Sequence, residues 1–267
     1  FGGSVGLQGP AVSTGAALGS NVARLFHMNA KTRMLLIGCA TAGAMSSMFK
    51  APVAAIVFAI EIFSLDLVFA SLVPLLLASI AAVITSYFFR GTDVLFSFEL
   101  LDAWRVKDIV FYVLLGLATG IASVYFSKMY FLITRFFSRF SNAYIKIGIA
   151  AIAIGFMLYL FPPLYGEGYG LINNLLNGNT EVALSGIQYQ IDFNNIWMVI
   201  VILLIIAVFK AIAMTTTFAA GGVGGIFIPT LFMGSALGNA VAKAINQFGF
   251  EVSEANFTLI GMTGLMA

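Results

Sequence analysis

Along this chain, long runs without charge alternate with short stretches punctuated by glycine and proline. Residues 51–89 hold only Glu61 and Asp66 as charged side chains, residues 109–127 hold none, and residues 195–242 hold only Lys210. A helix that crosses a bilayer needs about 20 consecutive apolar residues. Helices over about 67–90, 108–139, 144–161 and 195–217 meet that need, and Pro74 gives the first of them a place to kink. Other apolar segments do not cross unaided. An apolar, small-residue helix over about 10–26 follows a glycine-rich turn, and a short helix over about 34–47 comes next. Lys50-Ala51-Pro52 then breaks the pattern, and Pro52 suits the first turn of a helix over about 52–64. Pro162-Pro163 ends another helix before the glycine-rich loop Tyr165–Gly170, which leads into a short helix. Residues 91–108 and 177–194 are polar, and a last helix runs over about 226–246. Half-length helices imply backbone breaks at membrane depth, which lipid tolerates only where the backbone is buried in protein or lines a cavity.

Composition agrees with the pattern. Hydrophobic residues make up 61% of the chain, charged residues 9%, and mean hydropathy is +1.02. Soluble domains carry about 25% charged residues. The expected fold class is therefore an all-α polytopic membrane protein. The 13 basic residues are scattered, with Arg24, Lys31, Arg33, Arg90, Arg105, Lys107, Arg135, Arg139 and Lys146 near segment ends, where long cations reach headgroups. This distribution argues against a nucleic-acid surface. The single cysteine, Cys39, excludes an intrachain disulfide. No nucleophile–base pair, metal cluster or phosphate loop stands out, so neither an enzyme nor a cofactor is expected. The chain lacks an initiator Met and stops inside an apolar run, so it reads as one incomplete transmembrane domain over 1–267, a piece of a longer protein lacking both ends.

The two ends of the chain resemble each other. Gly3, Gly6, Pro10, Gly15, Ala17, Leu18 and Gly19 recur as Gly222, Gly225, Pro229, Gly234, Ala236, Leu237 and Gly238, at a constant offset of 219 (229 − 10). Leu36-Ile37-Gly38 recurs as Leu259-Ile260-Gly261, at 223 (259 − 36). Two repeats are expected: a first with its core over about 2–64, and a second that begins near 210 and is cut at 267.

A glycine-rich turn that opens a helix has a definite chemistry. The first backbone N–H groups of a helix lack intrahelical partners, glycine allows close approach, and the helix dipole adds roughly half a positive charge. Two such ends facing each other at mid-membrane would hold an anion without any full positive charge. Binding is then favourable yet weak enough for release, as conduction requires. The competing reading is close packing of helices through small residues. A duplicated turn, each copy running into a helix, favours the anion site.

Gly225-Ile226-Phe227-Ile228-Pro229 closely resembles the GIFAP signature of the CLC chloride channel and transporter family. Gly6-Leu7-Gln8-Gly9-Pro10 lies where that family has G(K/R)EGP. The run Leu36 to Phe63, with Gly38, Gly43, Lys50-Ala51-Pro52 and Ile60-Glu61, and the loop Gly168-Tyr169-Gly170 are also similar to it. The resemblance, of bacterial type, covers nearly the whole chain. It implies a CLC-type inverted repeat with short half-membrane helices, a homodimer with one anion pathway per subunit, and main-chain anion contacts. Bound chloride is implied at amides of Ile226 and Phe227 centrally, and around Gln8, Gly9 and Ile228 further out. It also implies a multi-pass protein of a bacterial inner membrane.

Two positions depart from the family. Gln8 stands where the family has its gating glutamate; a glutamine is nearly isosteric but neutral at every pH. Glu61-Ile62 stands where the family's exchangers often have two glutamates, so Ile62 falls on the internal proton position and cannot titrate. Glu61 is expected to be a satisfied buried carboxylate, with a proton relay as the other reading. For Lys210 two readings stand: reach to an aqueous vestibule, or snorkelling. His27 is expected in solvent, Glu167 and Asp66 at helix ends, and Phe126, Phe131, Phe136, Phe137 and Phe140 against lipid or in packing. The function expected is voltage- or gradient-driven passage of chloride or a similar small anion, uncoupled from protons. The alternatives are a chloride/proton antiporter that uses another acid, and a secondary transporter of a small organic anion.

Overall fold

The computed structural model describes residues 2–64, 69–96, 105–189 and 191–267. Asp66 lies outside them. The fold is all-α, with two compact units: Leu7–Ser97, and Phe1–Gly6 together with Phe98–Ala267. Among the described residues, four helices are long and apolar enough to cross a membrane.

The unit Leu7–Ser97 contains α1 (Gln8–Leu25), α2 (Ala30–Phe49), α3 (Pro52–Phe63) and α4 (Phe69–Arg90), the last with Pro74 inside it. Asn29 caps α2 by accepting a hydrogen bond from the Thr32 amide at 2.8 Å. The helix ends where Lys50 takes the left-handed conformation, φ 53°, and Pro52 starts α3 from its first position. Helices α1 and α2 touch backbone to backbone. A methyl group on Gly19 would sit 2.6 Å from the Leu36 carbonyl oxygen, and one on Gly15 would sit 2.8 Å from that of Ala40. Cys39, Ala42, Ala59 and Leu75 form the small core between α2, α3 and α4. Ser46 Oγ donates to the Ser79 carbonyl at 2.9 Å and Ser86 Oγ to that of Ser47 at 2.8 Å, so α2 and α4 exchange hydrogen bonds, the first of them buried. The Lys50 ammonium lies over the Tyr87 ring and donates to the carbonyls of Gly91 and Asp93, just past the end of α4.

The other unit contains α5 (Ile109–Phe137), α6 (Ala143–Leu160), α7 (Tyr169–Leu176), α8 (Thr180–Ala183), α9 (Ile196–Ala219), α10 (Phe227–Gln247) and α11 (Glu254–Met266). With 29 residues, α5 is about 43 Å long, more than the hydrocarbon thickness of about 30 Å, so it tilts or protrudes. Helices α10 and α11 meet as α1 and α2 do. Methyl groups on Gly234 and Gly238 would collide with the carbonyl oxygens of Gly261 and Phe257. The reciprocal pair of Asn246 with Val252 closes the turn between them (2.8 and 3.1 Å), and Lys243 pairs with Glu254 at 2.7 Å. Leu115, Ala242, Ile245, Val252 and Phe257 form the core where α5 joins this pair. Helix α9 buries one side over most of its length, from Val199 to Thr216, and leaves Val201, Leu204 and Val208 exposed.

Candidate anion site

Two glycine-rich loops each open a helix. In the unit that holds residues 2–6, the two glycine turns are tied by an isolated antiparallel bridge. The Gly6 amide donates to the Gly225 carbonyl at 3.0 Å, and the Gly225 amide donates to the Gly6 carbonyl at 2.6 Å. These two residues occupy the same place in the two similar segments, at the offset of 219 (225 − 6). A bond pattern that equivalent residues exchange with each other is what a local two-fold axis produces. Beside the bridge the Val5 side chain fills the space: a methyl on Gly224 would lie 2.5 Å from Val5 Cβ.

Two residues beyond each bridged glycine, a helix begins. Leu7 is the cap residue of α1, at φ −87° and ψ −4°, and Ile226 is the cap residue of α10, at φ −85° and ψ −20°. Neither start has a side-chain cap. The first helical bonds take the same register, Ala11 N–H to the Leu7 carbonyl at 3.0 Å and Thr230 N–H to the Ile226 carbonyl at 3.1 Å. Each helix places proline third, Pro10 and Pro229, which removes a donor that would otherwise need a partner. The first amides of the two starts are those of Gln8 and Gly9 in α1, and of the cap residue Ile226 followed by Phe227 and Ile228 in α10. Leu7 and Ile226 are similarly exposed, at 55% and 51%. Such a start can hold a small anion by N–H groups and dipole alone.

The Gln8 side chain is buried, and its Nε2 donates to Met48 Sδ at 3.9 Å on α2. It therefore turns back into its own unit. Glu61 corrects an expectation: it is exposed, not buried. Helix α3 sends Ala55 and Ala59 into the core, and Glu61 continues the exposed line of Val53 and Val57 at four-residue spacing. Ile62 beside it is 49% exposed.

Lys210 corrects another. It neither snorkels nor opens to a vestibule, but is fully buried. Its Nζ donates to the carbonyls of Gly166 at 2.8 Å and Leu164 at 3.2 Å, and lies 4.7 Å from the centre of the Phe232 ring. The loop it holds reaches the first glycine turn. Ser4 Oγ donates to the Leu164 carbonyl at 2.6 Å, and the Gly166 amide donates to the Gly3 carbonyl at 3.0 Å. Lys210 could be singled out as the lone charge in its run, but its carbonyl partners carry no mark in the sequence. His27 is exposed, as expected. Glu167, just before α7, accepts a hydrogen bond from the Tyr169 hydroxyl at 3.4 Å.

The fold and the paired turns define a membrane protein of the chloride-channel class. The family model described as voltage gated chloride channel matches residues 1–267, and the chain belongs to that family. It is 26% identical over 279 residues to a ClcB-like chloride channel protein of Ralstonia nicotianae, covering 100% of this chain and 59% of that protein. It is 26% identical to the H(+)/Cl(−) exchange transporter ClcA of Vibrio campbellii, covering 98% of this chain and 54% of that protein. The chain thus spans little more than half the length of these relatives. Among solved structures, a slow cyanobacterial Cl−/H+ antiporter superposes with a TM-score of 0.79 at 20% identity, over 99% of this chain and 60% of that one. That likeness concerns the fold.

Proposed function

We propose that the protein to which this chain belongs carries chloride, or a similar small anion, across a bacterial inner membrane along a pathway lined by helix N-termini. The observation that carries this reading is the pair of glycine turns, tied reciprocally at Gly6 and Gly225, each opening a helix that has no side-chain cap bond and places proline third. Ile226 and Phe227 supply central amides, and Ile228, Gly9 and the Gln8 amide supply the outer ones. Gly6, Leu7, Pro10, Gly225 and Pro229 shape the turns. Residues 2–64 and 210–267 act as two inverted repeats, and the protein works as a homodimer. The anion exchanges its hydration shell for N–H groups and needs no cofactor.

In this reading, transport is uncoupled from protons. Gln8 cannot titrate at the gate position, and Ile62 cannot at the internal one. A second reading, coupled exchange, is favoured by the relative from Vibrio campbellii and the fold neighbour, both described as exchangers of chloride and protons. It requires another acid, with Glu61 the first to test. Simultaneous chloride and proton flux from liposomes holding the full-length protein distinguishes the two. Chloride efflux with no proton movement supports uncoupled passage. Proton uptake in fixed ratio to chloride overturns it in favour of exchange, and no anion flux refutes both.

A further inference from the structure

The Lys210 ammonium is the one charged side chain among the fully buried large residues described. It is fully buried on α9 among apolar neighbours. Desolvating an ammonium costs several kcal/mol unless polar groups replace its water. Here two carbonyl oxygens and one aromatic face, at 2.8, 3.2 and 4.7 Å, together with the negative charge of Glu167, the residue after Gly166, offset that loss. A neutral apolar residue would fill the space without that cost, so the bonds themselves call for an explanation.

What those bonds hold is the back of the first glycine turn. The Leu164 carbonyl accepts from both Lys210 Nζ and Ser4 Oγ, which uses both lone pairs of one oxygen. One residue past Tyr165, Gly166 gives its carbonyl to Lys210 and its amide to Gly3. Two turns further along α9, on the same face, Thr217 Oγ1 accepts from the Ser4 amide at 3.4 Å. Residues 3 and 4 are therefore fastened to α9 at two heights, directly by Thr217 and through the 164–166 loop by Lys210. Gly6, two residues on, forms the bridge to Gly225.

We propose that Lys210 is a positioning residue: through the carbonyls of Leu164 and Gly166 it fixes Gly3 and Ser4, and with them the register of the Gly6–Gly225 bridge from which both amide-bearing helix starts depart. It acts without touching the anion. The proposal rests on the anion reading above, and the test separates the two.

Full-length protein is compared with Lys210→Met, Lys210→Arg and Ser4→Ala, by chloride flux against chloride concentration in liposomes and by hydrogen exchange of residues 2–6 and 222–228. Ser4→Ala matters most, because it cuts the same loop without changing charge. Expected are a rise of about three- to tenfold in half-saturating chloride for Lys210→Met, the scale of one lost buried hydrogen bond, and a smaller rise for Ser4→Ala. Lys210→Arg falls between Lys210→Met and the unmodified protein, flux at saturating chloride stays within about twofold, and exchange at 2–6 and 222–228 quickens. A shift for Lys210→Met alone, with Ser4→Ala unchanged, assigns the effect to the field of the ammonium and overturns the proposal. So does normal half-saturation and exchange in both variants. Where Lys210→Met fails to fold, Ser4→Ala decides by the same two readouts. If the unmodified protein moves no chloride, the anion reading fails, and hydrogen exchange alone still judges the latch.

Discussion

Adding one methyl group to Gly19 probes how tightly the half-length helices are locked together. The new carbon would stand 2.6 Å from the Leu36 carbonyl oxygen and 3.0 Å from both Ile37 Cα and Ala40 Cβ. Carbon and carbonyl oxygen settle at about 3.3–3.6 Å even in their closest favourable contacts, so α2 must retreat by roughly 0.7 Å. The obstructing atoms are mostly backbone and cannot rotate away. A gap of that size forfeits about a quarter to a half of the dispersion energy along the contact, and overpacking of this kind costs about 1–3 kcal/mol. Alanine's better helix propensity returns at most about 1 kcal/mol. The net expectation for Gly19→Ala is a loss of about 2 kcal/mol, or about 4–8 °C in Tm at 2–4 °C per kcal/mol. Gly120→Ala is the control, because nothing lies within 4 Å of its added methyl in this chain; its Tm should hold or rise. Thermal unfolding of the full-length protein in one detergent measures both. A Tm for Gly19→Ala equal to or above that of Gly120→Ala would refute the claim that backbone contact sets the α1–α2 distance.

Gly168→Ala should cost more, about 2–5 kcal/mol, because residue 168 sits at φ 85° and its methyl would enter the buried Phe232 ring; the same melts measure it. Ser46→Ala removes the bond to the Ser79 carbonyl and should cost about 0.6–1.7 kcal/mol, additive with Gly19→Ala within error if the two contacts are independent. Gln8→Glu should make anion flux pH-dependent where the unmodified protein is flat. The added carboxylate competes with the anion when ionised, so flux should rise as pH falls through its pKa. Liposome flux at several pH values checks the sign, and equal profiles would contradict the assignment of Gln8 to the pathway.

The apolar runs made the crossing helices legible almost to the residue, because a charge-free run of that length in this composition has few other fates. Helix α9, read at 195–217, spans Ile196–Ala219. Helix α2 is longer than the 34–47 expected because Asn29 caps it early and it persists to Lys50, whose left-handed conformation is not a glycine's doing. The α8 turn within 177–194 and helix α11 escaped notice, the latter because its polar residues are spread around the whole helix. Glu61 was misjudged for a related reason: α3 is apolar on all sides, so its sequence does not say which side faces the core. The glycine turns were legible because they are duplicated. The Lys210 network was not, since its partners are main-chain carbonyls 44 and 46 residues away, and every residue has one.

The reciprocal bridge between Gly6 and Gly225 also bears on rectification. Two equivalent glycines that exchange donor and acceptor form a joint that is the same from either end, and such a joint has no forward direction. On the anion-transport reading proposed above, a preference for influx over efflux finds no source in this joint and is to be sought at positions where the two segments differ. Adding the offset of 219 to 8 gives 227, so the most telling of these is the pair Gln8 and Phe227, an amide side chain facing the same step of one helix as a ring does of the other. Lys210, held behind only the first turn, is the second source of asymmetry. At the joint itself, then, the two segments differ by their side chains and not by the hydrogen bonds of their backbone.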